Sequence, residues 1–153
     1  MAIKTALSPK ATILIVEDVI LAAICLRDAF EDAGYRVMDL TTRHHEALSA
    51  ALAEKPDIAL VNIQLQGRDD GIGVARDFHA IGIPVVFISG QVSRARSART
   101  VAIASLPKPY DPADMVLSVA YLLRRLQGDD SLPRPAGLEV FEMSGVPKSR
   151  EPV

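Results

Sequence analysis

The sequence predicts an α/β protein in which a parallel sheet lies between two layers of helices. Three observations carry that expectation. Short, continuous apolar runs rich in β-branched residues, at Thr12–Val16, Ile58–Ile63 and Pro84–Ile88, read as strands buried on both faces. The segments between them repeat apolar residues at helical spacing. Strand and helix signals alternate five times along 153 residues, a length that accommodates one domain with an appendage.

In chain order, the first strand stops abruptly at Glu17-Asp18. From Val19 to Ala33, apolar residues recur at Ile20, Ile24 and the Leu21, Cys25 row, Phe30 follows, and Gly34 stands where a helix C-terminal cap belongs. Tyr35 to Leu40 reads as a second strand, and Arg43 to Lys55 as an Ala- and Leu-rich helix closed by Pro56-Asp57. After the third strand, Gly67 to Gly73 forms a loop containing three glycines and two aspartates. A short helix follows, with Val74, Ala75 and Phe78 on one face. Pro84 enters the fourth strand at a position that tolerates a missing N–H. Val92 to Thr100 reads as a short Arg-rich helix, Val101 to Leu106 as a fifth strand, and Asp111 to Gln127 as the last helix, with Met115, Val119, Leu122 and Leu126 on one stripe.

The character changes after Gly128, where four of the ten prolines fall within residues 128–153. The chain therefore divides into an N-terminal segment at 1–10, a domain at 11–127 and a Pro-containing tail or arm at 128–153. Leu138, Val140, Phe141 and Met143 form an apolar patch in the tail. It could dock on the body, pair with a second copy as an added strand, or have no structural role.

Composition narrows the function. Seventeen Lys plus Arg against nineteen Asp plus Glu give a net charge of -2, too balanced for a nonspecific nucleic-acid binder. The lone Cys25 excludes an internal disulfide and a Cys-cluster metal site, and reads as a helix-packing residue. No apolar run approaches the roughly 20 residues of a membrane span or forms a signal peptide, so no membrane partner is expected and the cytoplasm is the expected location.

In an open parallel sheet, ligands bind beyond the carboxyl ends of the strands, where strand order reverses. Glu17 and Asp18 follow the first strand, Asn62 ends the third, Ser89-Gly90 follows the fourth and Pro107-Lys108-Pro109 follows the fifth. Two carboxylates with a further oxygen donor suit a hard divalent cation such as Mg²⁺. A Ser hydroxyl and a Lys ammonium facing it suit a phosphoryl group.

The segments Ile13–Asp18, Asp57–Leu65, Asp70-Gly71-Ile72, Pro84–Gly90 and Leu106–Tyr110 together resemble, in order and spacing, the receiver domain of two-component response regulators in its single-domain, chemotaxis-type form. The resemblance implies a three-layer, doubly wound (βα)5 flavodoxin-like sheet of order 2-1-3-4-5. It also implies that Glu17, Asp18, the residue at 62 and the Gln64 backbone carbonyl surround Mg²⁺, that Ser89 moves toward a phosphoryl group on activation, and that Lys108 pairs with that group. The implied partner is a sensor histidine kinase or a phosphotransfer protein. Homodimerisation would use either the face of the fourth helix, fifth strand and fifth helix or the C-terminal tail.

The decisive departure is Asn62, which stands where the family carries its phosphoacceptor aspartate. An amide oxygen is a far poorer nucleophile than a carboxylate, because its lone pair is delocalised and uncharged. Position 62 should accept no phosphoryl group, and Mg²⁺ affinity should fall with one negative charge gone. Natural degeneracy and an introduced substitution both account for Asn62. Ser105 stands where the family usually has an aromatic residue, and the stretch from Ser89 to Lys108 is short, which reduces the fourth helix.

Other signals are discounted. His44 and His45 read as solvated helix residues, Arg94, Arg96 and Arg99 as a solvated face or a docking patch, and Gly67, Gly71 and Gly73 as turn residues rather than a phosphate-binding loop. A haloacid-dehalogenase-like phosphatase would need an Asp nucleophile with an acidic partner two residues on, which Glu17-Asp18-Val19-Ile20 does not offer. The expected function is that of a signalling receiver and not an enzyme. The alternative is a phosphorylation-independent pseudo-receiver acting through its surface and tail.

Overall fold

Apolar strands with no polar face need cover on both sides, and the fold supplies it. The computed structural model describes residues 10–65 and 67–141. Strands β1 (Thr12–Val16), β2 (Arg36–Val37), β3 (Ile58–Asn62), β4 (Val85–Ser89) and β5 (Ala104–Pro107) pair in parallel in the order 2-1-3-4-5. β3 and β4 are buried at every position.

Alternate residues of each strand enter opposite layers, as the pleat requires. On one face, Ile13, Ile15, Leu60 and Ile88 pack against helices α1 (Ile20–Asp32) and α5 (Pro112–Leu126). On the other, Leu14, Val16, Val61 and Phe87 pack against α2 (His44–Ala53), α3 (Gly71–Ala80) and α4 (Val92–Ser97). Phe30, Phe78 and Phe87 are fully buried and anchor these layers. Among the described residues, no helix is long and apolar enough to cross a membrane.

Several elements depart from expectation for identifiable reasons. The buried stripe of α1 is Ala23, Leu26 and Phe30. The Leu21, Cys25 row faces outward, so Cys25 is exposed rather than a packing residue. β2 is only two residues long, because pairing with β1 lapses after Val37 and resumes as a single bridge between Val16 and Thr41. Leu126, at the end of the α5 stripe, is exposed, whereas Met115, Val119 and Leu122 are buried. The Arg-rich helix ends at Ser97, and a separate 3₁₀ turn at Arg99–Val101 delays β5 to Ala104.

α3 begins three residues earlier than its apolar pattern suggests, because Asp70 caps it by accepting the Ile72 N–H at 3.0 Å. Gly71 and Gly73 are therefore helical, and only Gly67, at φ +73°, is a turn residue that needs glycine. Gly71 has a different requirement. A Cβ there would lie 2.1 Å from the Asn62 carbonyl oxygen, so only glycine lets α3 approach the end of β3 this closely.

The tail folds back onto the sheet. Glu139–Val140 forms β6, antiparallel to β5, and the Phe141 N–H donates to the Ile103 carbonyl at 2.9 Å. Leu138 is buried in the α1/α5 layer and Phe141 in the opposite one. Arg96 of α4 pairs with Glu139 at 2.7 Å. Of the three roles open to the apolar patch, docking on the body is the one observed. It takes the form of an added strand within the same chain, while Met143 lies outside the described residues.

Candidate functional site

The sheet places its polar strand ends along one edge, and the acidic residues meet there. Glu17 follows β1 directly and is only 1% exposed. Its Oε2 accepts the Val19 N–H at 3.1 Å, at the start of α1. Asn62 ends β3 beside Ile88 of β4 and is 2% exposed. Its Nδ2 donates to Glu17 Oε2 at 2.9 Å, to Asp18 Oδ1 at 3.3 Å and to the Gln64 carbonyl at 3.0 Å. An amide nitrogen has two hydrogens, so these three acceptors share them.

Two buried oxygens have no partner among the described residues: Glu17 Oε1 and Asn62 Oδ1. Such an orphan typically costs about 1–3 kcal/mol. Burial pushes the Glu17 carboxyl above its ordinary range, and the neighbouring Asp18 carboxyl adds to the rise. The Val19 N–H, the Lys108 charge and the Asn62 amide act in the opposite direction.

Lys108 is exposed and forms no ion pair among the described residues. Its backbone N–H donates to the Ser89 carbonyl at 2.8 Å, and the Lys108–Pro109 peptide bond is cis. With Glu17 it lines one end of a groove of about 600 Å³ between α1 and the β5–α5 loop, whose other walls include Val19, Ala22, Cys25 and Tyr110. Burial and the nearby Glu17 and Cys25 charges push the Tyr110 hydroxyl up to about 12. Ser89 is buried, but its hydroxyl serves a local turn: it donates to the Gln91 carbonyl at 2.9 Å and accepts the Gln91 N–H at 2.8 Å.

Glu17, Asp18, Asn62 and Gln64 thus converge in one hydrogen-bonded group. Lys108 joins them at the groove and through its charge on Glu17, whereas the Ser89 hydroxyl is bonded to the Gln91 backbone. Sequence reading missed the ties around this group. Arg94 pairs with Asp70 at 3.0 Å, joining α4 to the loop before α3. The His44 backbone N–H donates to Asp69 at 2.9 Å, and its ring bonds Asp77 at 2.7 Å, joining α2 to α3. His44 is therefore a paired residue rather than a solvated one, and Arg94 and Arg96 each have a carboxylate partner. Charged residues near the starts of α2, α3 and α4, such as Arg43, Asp69, Asp70 and Arg94, were the available signal, but spacing alone does not say which pairs meet.

The family model described as the response regulator receiver domain matches residues 13–120. The chain belongs to this receiver family. Among curated proteins, the response regulator MprA of Mycolicibacterium vanbaalenii is 28% identical over 144 residues, which cover 91% of this chain and 62% of that protein. The transcriptional regulatory protein PdtaR of Mycobacterium tuberculosis is 28% identical over 121 residues, covering 75% and 58% respectively. The receiver chain spans about six-tenths of the length of these relatives. Among solved structures, the signal receiver domain of a modulated diguanylate cyclase from Desulfovibrio desulfuricans superposes with a TM-score of 0.69 at 33% identity, covering 76% of this chain and 96% of that one. A CheY-like receiver from Methanospirillum hungatei, at 22% identity and a TM-score of 0.68, shares the fold, covering 76% of this chain and 96% of its own.

Receiver domains bind Mg²⁺ at an acidic pocket. Glu17, Asp18 and the Gln64 carbonyl are hard oxygen donors of the right kind. Asn62 does not fit a cation at these donors, because its amide presents N–H groups to the same three oxygens a cation would bind.

Proposed function

We propose that this receiver is a single-domain module of a two-component phosphorelay that docks a sensor histidine kinase or phosphotransfer protein and takes no phosphoryl group itself. One observation carries the reading: the side chain at the end of β3 is an amide whose nitrogen, not an anionic oxygen, faces the acidic pair. An acyl phosphate forms by attack of a carboxylate oxygen on phosphorus, and Asn62 offers none.

Docking is supported by the exposed start of α1, where Val19 at the N-cap and Ile20 and Leu21 in the first turn are exposed, Leu21 at 76%. Beside it lies the groove lined by Lys108 and Tyr110, so apolar contact and a cationic group adjoin. Such a partner places the chain in the cytoplasm. We take residues 11–127 as the receiver unit, with the arm from 128 onward closing its β5 edge. A dimer that added a second copy's strand at that edge would first have to displace β6.

A second reading, a pseudo-receiver whose function never involves phosphate, is favoured by the same inward-facing amide. Incubating the native chain and Asn62→Asp with Mg²⁺ and acetyl phosphate, then reading intact mass, separates the two. Gain of one phosphoryl group by the Asp form alone is the expected result and assigns a receiver site silenced at one side chain. No gain in either form favours the pseudo-receiver, and gain by the native chain overturns both.

A further inference from the structure

Two carboxylates and a carbonyl converge on one point, and none has a hydrogen to offer while the acids are ionised. Something positive must stand between them, or the charges repel at short range. Asn62 Nδ2 stands there, 2.9 Å from Glu17, 3.3 Å from Asp18 and 3.0 Å from the Gln64 carbonyl. The reverse amide orientation would aim Oδ1 at all three oxygens. The orientation present leaves Oδ1 buried and without a partner among the described residues, so two hydrogens shared among three acceptors outweigh an orphaned acceptor.

We infer that the Asn62 amide is a built-in substitute for the divalent cation, bridging both carboxylates and the Gln64 carbonyl so that the pocket holds together without metal. This rests on reading position 62 as the phosphoacceptor position, and it adds a second consequence. Gln64 leads into the loop whose Asp70 pairs with Arg94 of α4 at 3.0 Å. The connection from the acidic pair to α4 is therefore set by the chain itself and does not respond to Mg²⁺ supply.

The full chain is titrated with millimolar Mg²⁺ while thermal unfolding and the Asn62 side-chain amide signals in a nitrogen–proton correlation spectrum are followed. The native chain should show no change in Tm and no displacement of those signals, and the Asn62 N–H protons should exchange slowly with solvent. In Asn62→Asp a third carboxylate replaces the donor, so its Tm in EDTA should fall by roughly 5 °C or more and recover with Mg²⁺. A Mg²⁺-dependent rise in the native Tm, displaced Asn62 signals, or an Asn62→Asp chain as stable as the native one in EDTA overturns the inference. If Asn62→Asp does not fold in EDTA, that is the expected loss at its extreme, and the native spectra then decide alone. A native chain that responds to Mg²⁺ yet takes no phosphoryl group removes this inference and leaves the proposed function standing.

Discussion

At the scale of single residues, Glu17 is a buried carboxylate at the centre of the acidic group. Its carboxyl is raised above 4.5, chiefly by burial, so ionising it is harder in the folded chain than in the unfolded one. Glu17 therefore contributes stability below about pH 4.5, and that contribution is lost as pH rises through the folded value. Replacing it with Gln keeps an oxygen to accept the Val19 and Asn62 donors and removes the charge. Glu17→Gln should raise the Tm at pH 8, with the advantage shrinking as the medium is acidified and disappearing below pH 4.5. Melts across that range check it, and a Gln variant less stable at pH 8 would contradict the burial argument. That Glu17, Asp18, Asn62 and Lys108 share one edge was legible in sequence because each ends or follows a strand that reads as buried, and strand ends in a parallel sheet share an edge. The direction of the Asn62 amide was not legible, since it depends on three oxygens from two separate loops. Gly71 was misread as a turn residue because its requirement, the approach of α3 to the Asn62 carbonyl, is a tertiary one.

At the scale of elements, β6 is the least expected piece. A two-residue strand carries no readable period, and its assignment comes from what flanks it: Leu138 in one layer and Phe141 in the other. It covers β5, which would otherwise end the sheet with unpaired N–H and C=O groups beside α4. Phe141 is 4% exposed, so Phe141→Ala should cost about 3 kcal/mol in urea unfolding. A loss under about 1 kcal/mol would mean the arm is only loosely held. The same contrast explains α1. Its helical period was plain, yet two apolar rows share the helix, and periodicity could not say that Ala23, Leu26 and Phe30 would be buried and Leu21 left in solvent. Under the proposed function, a docking partner would cover that exposed row.

At the scale of the whole molecule, the receiver fold keeps its parallel sheet and its edge of polar strand ends, exposes apolar residues at the start of α1, and ends β3 in an amide that faces the acidic pair. Five strands and their order followed from the alternation of apolar runs and helical periods together with the family resemblance, and β6 lies beyond the matched residues 13–120. The proposed function is that of a chain that meets a phosphodonor without taking its phosphoryl group. Competition tests this most directly. A phosphohistidine-bearing phosphotransfer protein that phosphorylates the Asn62→Asp chain is mixed with it, and excess native chain is added. Transfer to the Asp form should slow in proportion to the native chain present, while labelling of the Asp form by acetyl phosphate, which needs no docking, stays unchanged. Undiminished transfer at saturating native chain would contradict the docking half of the proposal, and phosphate found on the native chain would contradict the other half.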